Sequence, residues 1–296
     1  MPIRAFVLLL SFSLVAQADL VERNVDFSNY NKPLYTQVVD RIKAHVLARL
    51  GKGENRRDRY FIIPFAYQNS KNQPEFSHSF ITVIRVFADN KQAKLTPGLP
   101  TRTYKGRDFE AFTISWLPAD FLSNPHLCVF KGPGSRLFED ANECPAVPGH
   151  SFSLQETIDL AAKEKVAVAM WGPYEIVKDA FELGVNRKKL LDGGTIKYRA
   201  DDRGYRKKGI AINCFHAMAG LEELYPNGGL FGTGFKMWGF NGTARVLIEY
   251  TEKASNKGML LEPVDVKQDR YGFVYAPVRN GRVPYNPTRN ASAYNK

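Results

Sequence analysis

The sequence KGIAINCFHAMAGL, residues 208–221, is the stretch from which we interpret the rest of the chain. A glycine and three apolar residues lead into Asn213, a residue type that favours helix N-caps. Apolar residues then recur at helical spacing, which predicts a helix whose first residue is Cys214. The amides and positive dipole end of a helix favour a thiolate, so Cys214 is a candidate nucleophile. The alternative is a small buried hydrophobic residue.

The N-terminus has the pattern of a secretory signal peptide. Arg4 precedes an apolar stretch over residues 5–15, and Ala-Gln-Ala at 16–18 matches a small-x-small cleavage site. We therefore expect residues 1–18 to be removed and the protein to be exported, to the periplasm or beyond the cell. The alternative is an uncleaved anchor. We expect no transmembrane segment, because no later stretch is apolar for long enough.

The cysteines fit an exported protein. The chain has three, and Cys128 and Cys144 share a Pro/Gly-rich segment over residues 125–149. We expect them to form a disulfide that staples this insertion. Cys214 is then the odd thiol, and a thiol retained in an oxidising compartment favours a functional role.

Size and charge limit the choice of partners. The 296 residues are 44% hydrophobic with a net charge of +11. We predict a single α+β domain over residues 19–279 and a flexible basic tail over 280–296. For an exported protein, the charge favours an anionic envelope polymer over nucleic acid, although a solvated basic surface explains most of it. We find no phosphate-binding loop or paired-cysteine metal spacing in the sequence, and we expect no cofactor.

Two β-rich stretches carry the second candidate residue. FSHSFITVIRVF, residues 76–87, predicts a strand with His78 at its mouth. FEAFTISWL, residues 109–117, predicts its antiparallel partner, ended by Pro118. This pairing would bring Ser115 or Thr113 near His78, with Glu110 as a more remote alternative. The competing interpretation of His78 is an edge histidine bonded to a loop.

The remaining patterns indicate an antiparallel sheet packed against helices. Helices are predicted over residues 36–50, 154–165 and 174–191, the second capped by Ser153 and the third with a candidate break at Gly184. Strands are predicted over 166–171 and over 60–67, the latter interrupted by Pro64.

Aromatic residues are candidates for substrate binding. The segment 229–242 is rich in glycine and aromatics, and Phe231 and Trp238 could form the wall of a groove. We also expect Trp171 and Tyr174 to contribute to a substrate surface. A bulged strand or a turn is the alternative for segment 229–242.

The order of these motifs resembles the circularly permuted NlpC-type proteins, the papain-like group that includes lecithin:retinol acyltransferase. His78 leads a strand, and Asn213-Cys214-Phe215-His216 matches the Asn-Cys-x-His string of that group. The resemblance implies a permuted papain-like fold, a Cys214 nucleophile, a His78 base and a third polar residue, for which we select Ser115. It also implies a thiol hydrolase or acyltransferase acting on amide or ester bonds, with cell-wall peptides as the natural substrate. His216 is expected to be structural, because residues two apart on a helix do not face each other.

Two other functions are compatible with the sequence. One is a non-catalytic exported module that binds glycan or peptide through the aromatic segment. The other is a structural surface protein whose basic face binds anionic polymers.

Overall fold

The computed structural model describes residues 32–68, 77–89, 94–123, 146–199, 211–219 and 256–261, and the backbone of 273–275. The expected signal peptide, the Cys128–Cys144 pair, Phe231, Trp238 and the basic tail lie outside these residues. Within them, no helix combines the length and apolar character required to cross a bilayer.

Along the described residues, one helix precedes six successive strands, and three further helices separate the strands that follow. The helices are α1 (Leu34–Leu50), α2 (Leu154–Lys163), α3 (Lys178–Asp192) and α4 (Cys214–Ala219). The strands are β1 (Arg59–Gln68), β2 (His78–Val86), β3 (Thr101–Tyr104), β4 (Arg107–Ile114), β5 (Trp116–Pro118), β6 (Val147–Ser151), β7 (Ala167–Met170), β8 (Tyr174–Ile176), β9 (Lys197–Tyr198), β10 (Ala211–Ile212) and β11 (Phe273–Tyr275).

Two sheets organise the described part of the chain. The larger has the order β11-β7-β1-β2-β4-β3, with antiparallel pairs throughout, and β8 also pairs with β1. The smaller has the order β10-β9-β6-β5. The α+β class with an antiparallel sheet against helices is therefore confirmed, and the permuted papain-like architecture stays a prediction.

The larger sheet is covered on both faces, which explains the nearly continuous apolar character of β1 and β2. Side chains such as Phe61 and Phe80 pack with α1 and α2 on one face. Side chains such as Ile62 and Val83 pack with α3 and α4 on the other. Residues that alternate along one strand thus enter two different hydrophobic layers. His78, on the Phe80 side, belongs to the α1/α2 face.

Pro64 does not interrupt β1, contrary to the sequence prediction. The strand pairs with β8 over residues 60–62 and with β7 over 65–68, so Pro64 lies where β1 changes neighbour. Its carbonyl accepts the Trp171 N–H at 2.9 Å on that side. Backbone N and C=O of one residue point the same way in an antiparallel strand, so the missing N–H faces the gap between β7 and β8.

The single strand predicted over residues 109–117 is in fact two. β4 ends at Ile114 in the larger sheet, and β5 begins at Trp116 in the smaller one. Ser115 is the residue between them. Pro118 is the last residue of β5 rather than a terminator after it, and the pairing of β2 with β4 is as predicted.

The helix predicted over residues 174–191 begins later than expected. Residues 174–176 pair with β1 as β8, which uses their backbone groups in the sheet, and α3 starts at Lys178. The helix runs unbroken through the buried Gly184. By contrast, α2 begins after Ser153 with the predicted capping box to Glu156, and α1 ends at Gly51 with a φ of 73°.

Gly149 permits the close packing of the two strands beside Ser115, and we predict that Gly149→Ala destabilises the protein. An added Cβ would lie 2.1 Å from the ring of Trp116, which is fully buried. We expect a loss of about 2 kcal/mol in the free energy of unfolding, measured by urea denaturation. Gly53→Ala is the matched control, because its Cβ would meet no atom within 4 Å. Equal unfolding midpoints for the two variants would contradict this packing.

Candidate functional site

His78 is held rigidly at the beginning of β2. Its side chain is 2% exposed, and its ring stacks on Phe80 with centroids 5.5 Å apart and an interplanar angle of 15°. Tyr67, its cross-strand partner in β1, packs at 5.3 Å. The imidazole therefore has a defined orientation before any substrate arrives.

A chain of hydrogen bonds ends on the His78 ring. Its Nε2 lies 2.9 Å from Ser115 Oγ, which lies 2.8 Å from Thr157 Oγ1, and Thr157 Oγ1 lies 2.8 Å from the Ser153 carbonyl oxygen. The Thr157 hydroxyl has one proton and two acceptors in reach, the Ser115 oxygen and the Ser153 carbonyl oxygen. With that proton on the Ser153 side, Ser115 donates to Thr157 and accepts from Nε2 of His78, which leaves a lone pair on Nδ1. With it on the Ser115 side, Ser115 donates to Nε2 and the imidazole proton is on Nδ1.

The Nδ1 atom of His78 is buried and has no hydrogen-bond partner among the described residues. Burial lowers the pKa of His78 from 6.5 to about 3, because the protein interior disfavours the charged imidazolium. The ring is therefore neutral near neutral pH. A buried ring nitrogen without a partner costs free energy whether it is a donor or an acceptor, which makes Nδ1 a candidate for a functional role.

Cys214 begins α4, as the sequence predicts. Asn213 is the N-cap, and its Oδ1 accepts the His216 backbone N–H at 3.1 Å. The cysteine is a thiol rather than half of a disulfide, and it is 9% exposed. Helix α4 packs against β2, which begins at His78, and against β5, which begins directly after Ser115.

Tyr67 connects the surroundings of Cys214 and His78. Burial raises the pKa of Tyr67, and negative charge on Cys214 raises it further. Tyr198 behaves in the same way, with burial as the larger cause and Cys214 as the next. Both phenols therefore stay protonated beside the thiol. Since Tyr67 also packs on the His78 ring, the two candidate residues share a neighbour at one end of β2.

Cys214 and His78 nevertheless belong to different hydrophobic layers, on opposite faces of the larger sheet. Cys214 clusters with the residues of α3 and α4, whereas the rings around His78 belong to the layer of α1 and α2. The thiol does not hydrogen-bond to Nδ1 of His78 in this structure. Chemistry between them requires the sulfur to move toward that nitrogen.

Of the three alternatives for the residue that orients His78, only Ser115 makes that contact. Thr113 Oγ1 lies 2.9 Å from Thr82 Oγ1 instead. Glu110 accepts hydrogen bonds from Thr96 and forms an ion pair with Arg85 at 3.4 Å. The Glu110 alternative is therefore wrong.

The sequence interpretation missed Thr157 and the Ser153 carbonyl. The capping pattern located the start of α2, and Thr157 follows Ser153 by one helical turn. Nothing in the local pattern indicates that this turn packs on Ser115.

Two residues expected to bind substrate are part of the core. Trp171 is 2% exposed and Tyr174 is 6% exposed, and both pack in the layer with α3. Neither ring offers a face to a ligand in this structure, so a substrate surface at these positions is not observed. Tyr174 is unavailable because β8 is a strand of the sheet rather than the start of a helix.

The other histidines among the described residues lie in structural or partly exposed positions, and His126 lies outside those residues. His216 is buried in α4, and its carbonyl oxygen accepts a hydrogen bond from Arg187 at 2.8 Å. His150 is exposed on β6. Among the described residues, no group of three His, Cys, Asp or Glu side chains is arranged to hold a metal ion.

Comparisons with protein-family models, with curated proteins and with solved structures found no match. The geometry of these side chains is therefore the basis on which a function is inferred.

The low pKa of His78 predicts a loss of stability on acidification. The unfolded chain binds a proton at this residue below about pH 6.5, while the folded chain does not until about pH 3. Stability contributed by neutral His78 is therefore present above pH 6.5 and is lost progressively as the pH falls. The slope contributed is at most about 1.4 kcal/mol per pH unit. We expect His78→Gln to flatten the decline between pH 6.5 and pH 5, measured by urea unfolding.

His45→Gln is the control for this experiment. The pKa of His45 is also lowered, first by burial and then by the charges of Arg41 and Arg49. Replacing His45 therefore changes the pH dependence of stability in the same direction as replacing His78. His45 is only half-buried and lies in α1, away from Ser115. If His78→Gln left the pH slope as steep as the wild type, His78 would not be a buried neutral imidazole.

Proposed function

We propose that this protein is a thiol-dependent hydrolase or acyltransferase that acts on amide or ester carbonyls. Cys214 is the nucleophile, His78 is the base, and Ser115 orients His78. The observation that carries the proposal is the state of His78. Its Nε2 contacts Ser115, while its Nδ1 is buried without a partner and, in the tautomer that the proposal uses, carries the lone pair. Tyr67 packs on the His78 ring and is close enough to Cys214 for charge on that sulfur to raise its pKa.

In the first half of the reaction, Nδ1 of His78 accepts the Cys214 thiol proton and the sulfur attacks the substrate carbonyl carbon. The backbone amide of Cys214 donates to the developing oxyanion. Collapse of the tetrahedral intermediate breaks the bond to the leaving group, which takes the proton from Nδ1. A thioester remains on Cys214.

In the second half, water or an acceptor alcohol or amine attacks the thioester carbon. Nδ1 accepts a proton from this nucleophile and returns it to the departing sulfur. The product acid, ester or amide leaves, and the thiol and the neutral imidazole are restored. The Ser115 bond to Nε2 persists throughout, so the ring does not rotate away between the two proton transfers.

The electrostatics favour proton transfer as a paired event. An isolated imidazolium is unfavourable at this buried position, which is why the pKa of His78 is about 3. A thiolate formed at Cys214 supplies the missing counter-charge, so the two charges compensate each other's desolvation. The protonated phenols of Tyr67 and Tyr198 provide polar surroundings for the sulfur.

The substrate class follows from the chain as a whole. The signal-like N-terminus and the net charge of +11 support an exported enzyme at an anionic envelope, and peptide amides of the cell wall suit both. The second candidate is a non-catalytic module that binds glycan or peptide. It is favoured by the burial of Cys214 and by the lack of a hydrogen bond from its thiol to His78 Nδ1.

Loss of turnover upon Cys214→Ala is the primary test. We expect the wild type to hydrolyse an activated ester such as p-nitrophenyl butyrate, or a member of a wall-peptide panel, and Cys214→Ala to be inactive. His78→Gln should lower kcat by about a hundredfold or more, because it removes the general base. Ser115→Ala should lower kcat by about tenfold with little change in KM, because Ser115 positions the base without touching substrate.

The exposed His150 supplies the matched control, and His150→Gln should retain the wild-type rate. Cleavage by Cys214→Ala at the wild-type rate would refute the thiol mechanism. Wall or glycan binding by both proteins, with turnover by neither, would establish the binding module instead.

A further inference from the structure

A groove separates α1 from the outer part of the larger sheet. Its volume is about 770 Å³, within the range of small-molecule sites. The floor is apolar and includes Ile84 of β2 and Phe109 and Ala111 of β4. Phe109 and Ala111 are only partly buried, so the groove exposes hydrophobic surface that the described residues do not cover.

Helix α1 supplies the opposite wall. This helix carries a stripe of six apolar residues, of which Val38, Ile42 and Val46 are buried against the sheet. The other three, Val39, Leu47 and Leu50, are half-exposed and line the groove. Leu50 packs against the edge of the core, and Val39 and Leu47 remain partly exposed on the groove side, although the spacing of the stripe is that of a buried helix face.

The rim of the groove carries uncompensated positive charge. Lys43 lies over the Tyr104 ring at 4.5 Å from its centroid, and Arg102 is exposed on β3. Both line the groove, and neither forms an ion pair with any described residue.

The acidic side chains at the groove are already engaged. Asp40 pairs with Lys32 at 3.1 Å, and Glu156 accepts the capping hydrogen bonds of Ser153. The Glu156 carboxylate keeps its charge, but the four cationic side chains that line the groove outnumber the two acidic ones.

We propose that this groove binds a long-chain carboxylate, with the alkyl chain between α1 and β4 and the carboxylate at Lys43 and Arg102. The apolar floor and walls match an alkyl chain, and the two cations match a single negative head group. This inference does not depend on the thiol chemistry, because Cys214, His78 and Ser115 do not line the groove.

One end of the groove nevertheless lies close to Ser115, the residue that contacts His78. Thr113, Ser151 and Ser153 line it. Ser151 Oγ accepts the Ser115 N–H at 3.4 Å and donates to the Thr113 carbonyl at 3.0 Å. A bound chain would therefore lie against the residues that surround Ser115.

Direct binding to lipid-stripped, full-length secreted protein tests the proposal. We would use the Cys214→Ala protein to prevent turnover, cis-parinaric acid as the fluorescent probe, and palmitate, hexadecanol and hexadecyltrimethylammonium as competitors. We expect saturable binding of one probe per chain. Palmitate should compete about fivefold or more better than the alcohol, and the cation should compete least, because only the carboxylate meets the positive rim.

Two pairs of variants locate the site. A double variant in the groove, Val39→Gln with Leu47→Gln, should weaken probe binding about tenfold. The control double variant on the exposed face of α3, Leu183→Gln with Leu190→Gln, should leave probe binding unchanged. Lys43→Gln should weaken palmitate about fivefold and leave hexadecanol unchanged, with Lys189→Gln as its exposed control.

The proposal is overturned by an absence of saturable binding, or by equal weakening in the groove and α3 variants. Binding that appears only after deletion of residues 19–31 would also overturn it, because the chain's own N-terminal segment would then fill the groove. Turnover assays bear on Cys214 separately, so either proposal can fail without the other.

Discussion

The hydrogen bond between His78 and Ser115 is the interaction on which the site depends. It is buried, and it ties the first residue of β2 to the junction where β4 leaves the larger sheet and β5 enters the smaller one. Thr157 extends it to the Ser153 carbonyl at the start of α2. Two sheets and one helix must therefore be in register for the imidazole to keep this hydrogen bond.

Burial gives this arrangement its chemical character. The position that fixes the ring also excludes the water that would stabilise an imidazolium, so His78 is a neutral imidazole with its pKa near 3. Such a group is a poor solitary base, but it becomes an effective one when the acid that it deprotonates remains beside it as an anion. In the proposed mechanism, the Cys214 thiol at the start of the helix packed on β2 meets that requirement once its sulfur approaches Nδ1.

Local sequence patterns predicted the elements that bear the candidate residues, because period and capping are local properties. They gave β2 with His78 at its mouth, the capping box at Ser153, and a helix that begins at Cys214. They failed where contacts between distant segments decide the outcome. The split at Ser115, the role of Thr157 and the burial of Trp171 in the core arise from how sheets and helices meet. The half-buried stripe of α1 is a further case, because periodicity shows that a face is apolar but not what covers it.

The most direct test of the central claim is the rate of alkylation of Cys214 by iodoacetamide across pH, followed at that residue by mass spectrometry in the wild type and in His78→Gln. Assistance by Nδ1 predicts that the wild-type thiol reacts well below the ordinary cysteine pKa of about 8.5. It also predicts that His78→Gln shifts the profile up to that value. Identical profiles in the two proteins would contradict the thiol–imidazole pair and identify Cys214 as a residue of the core.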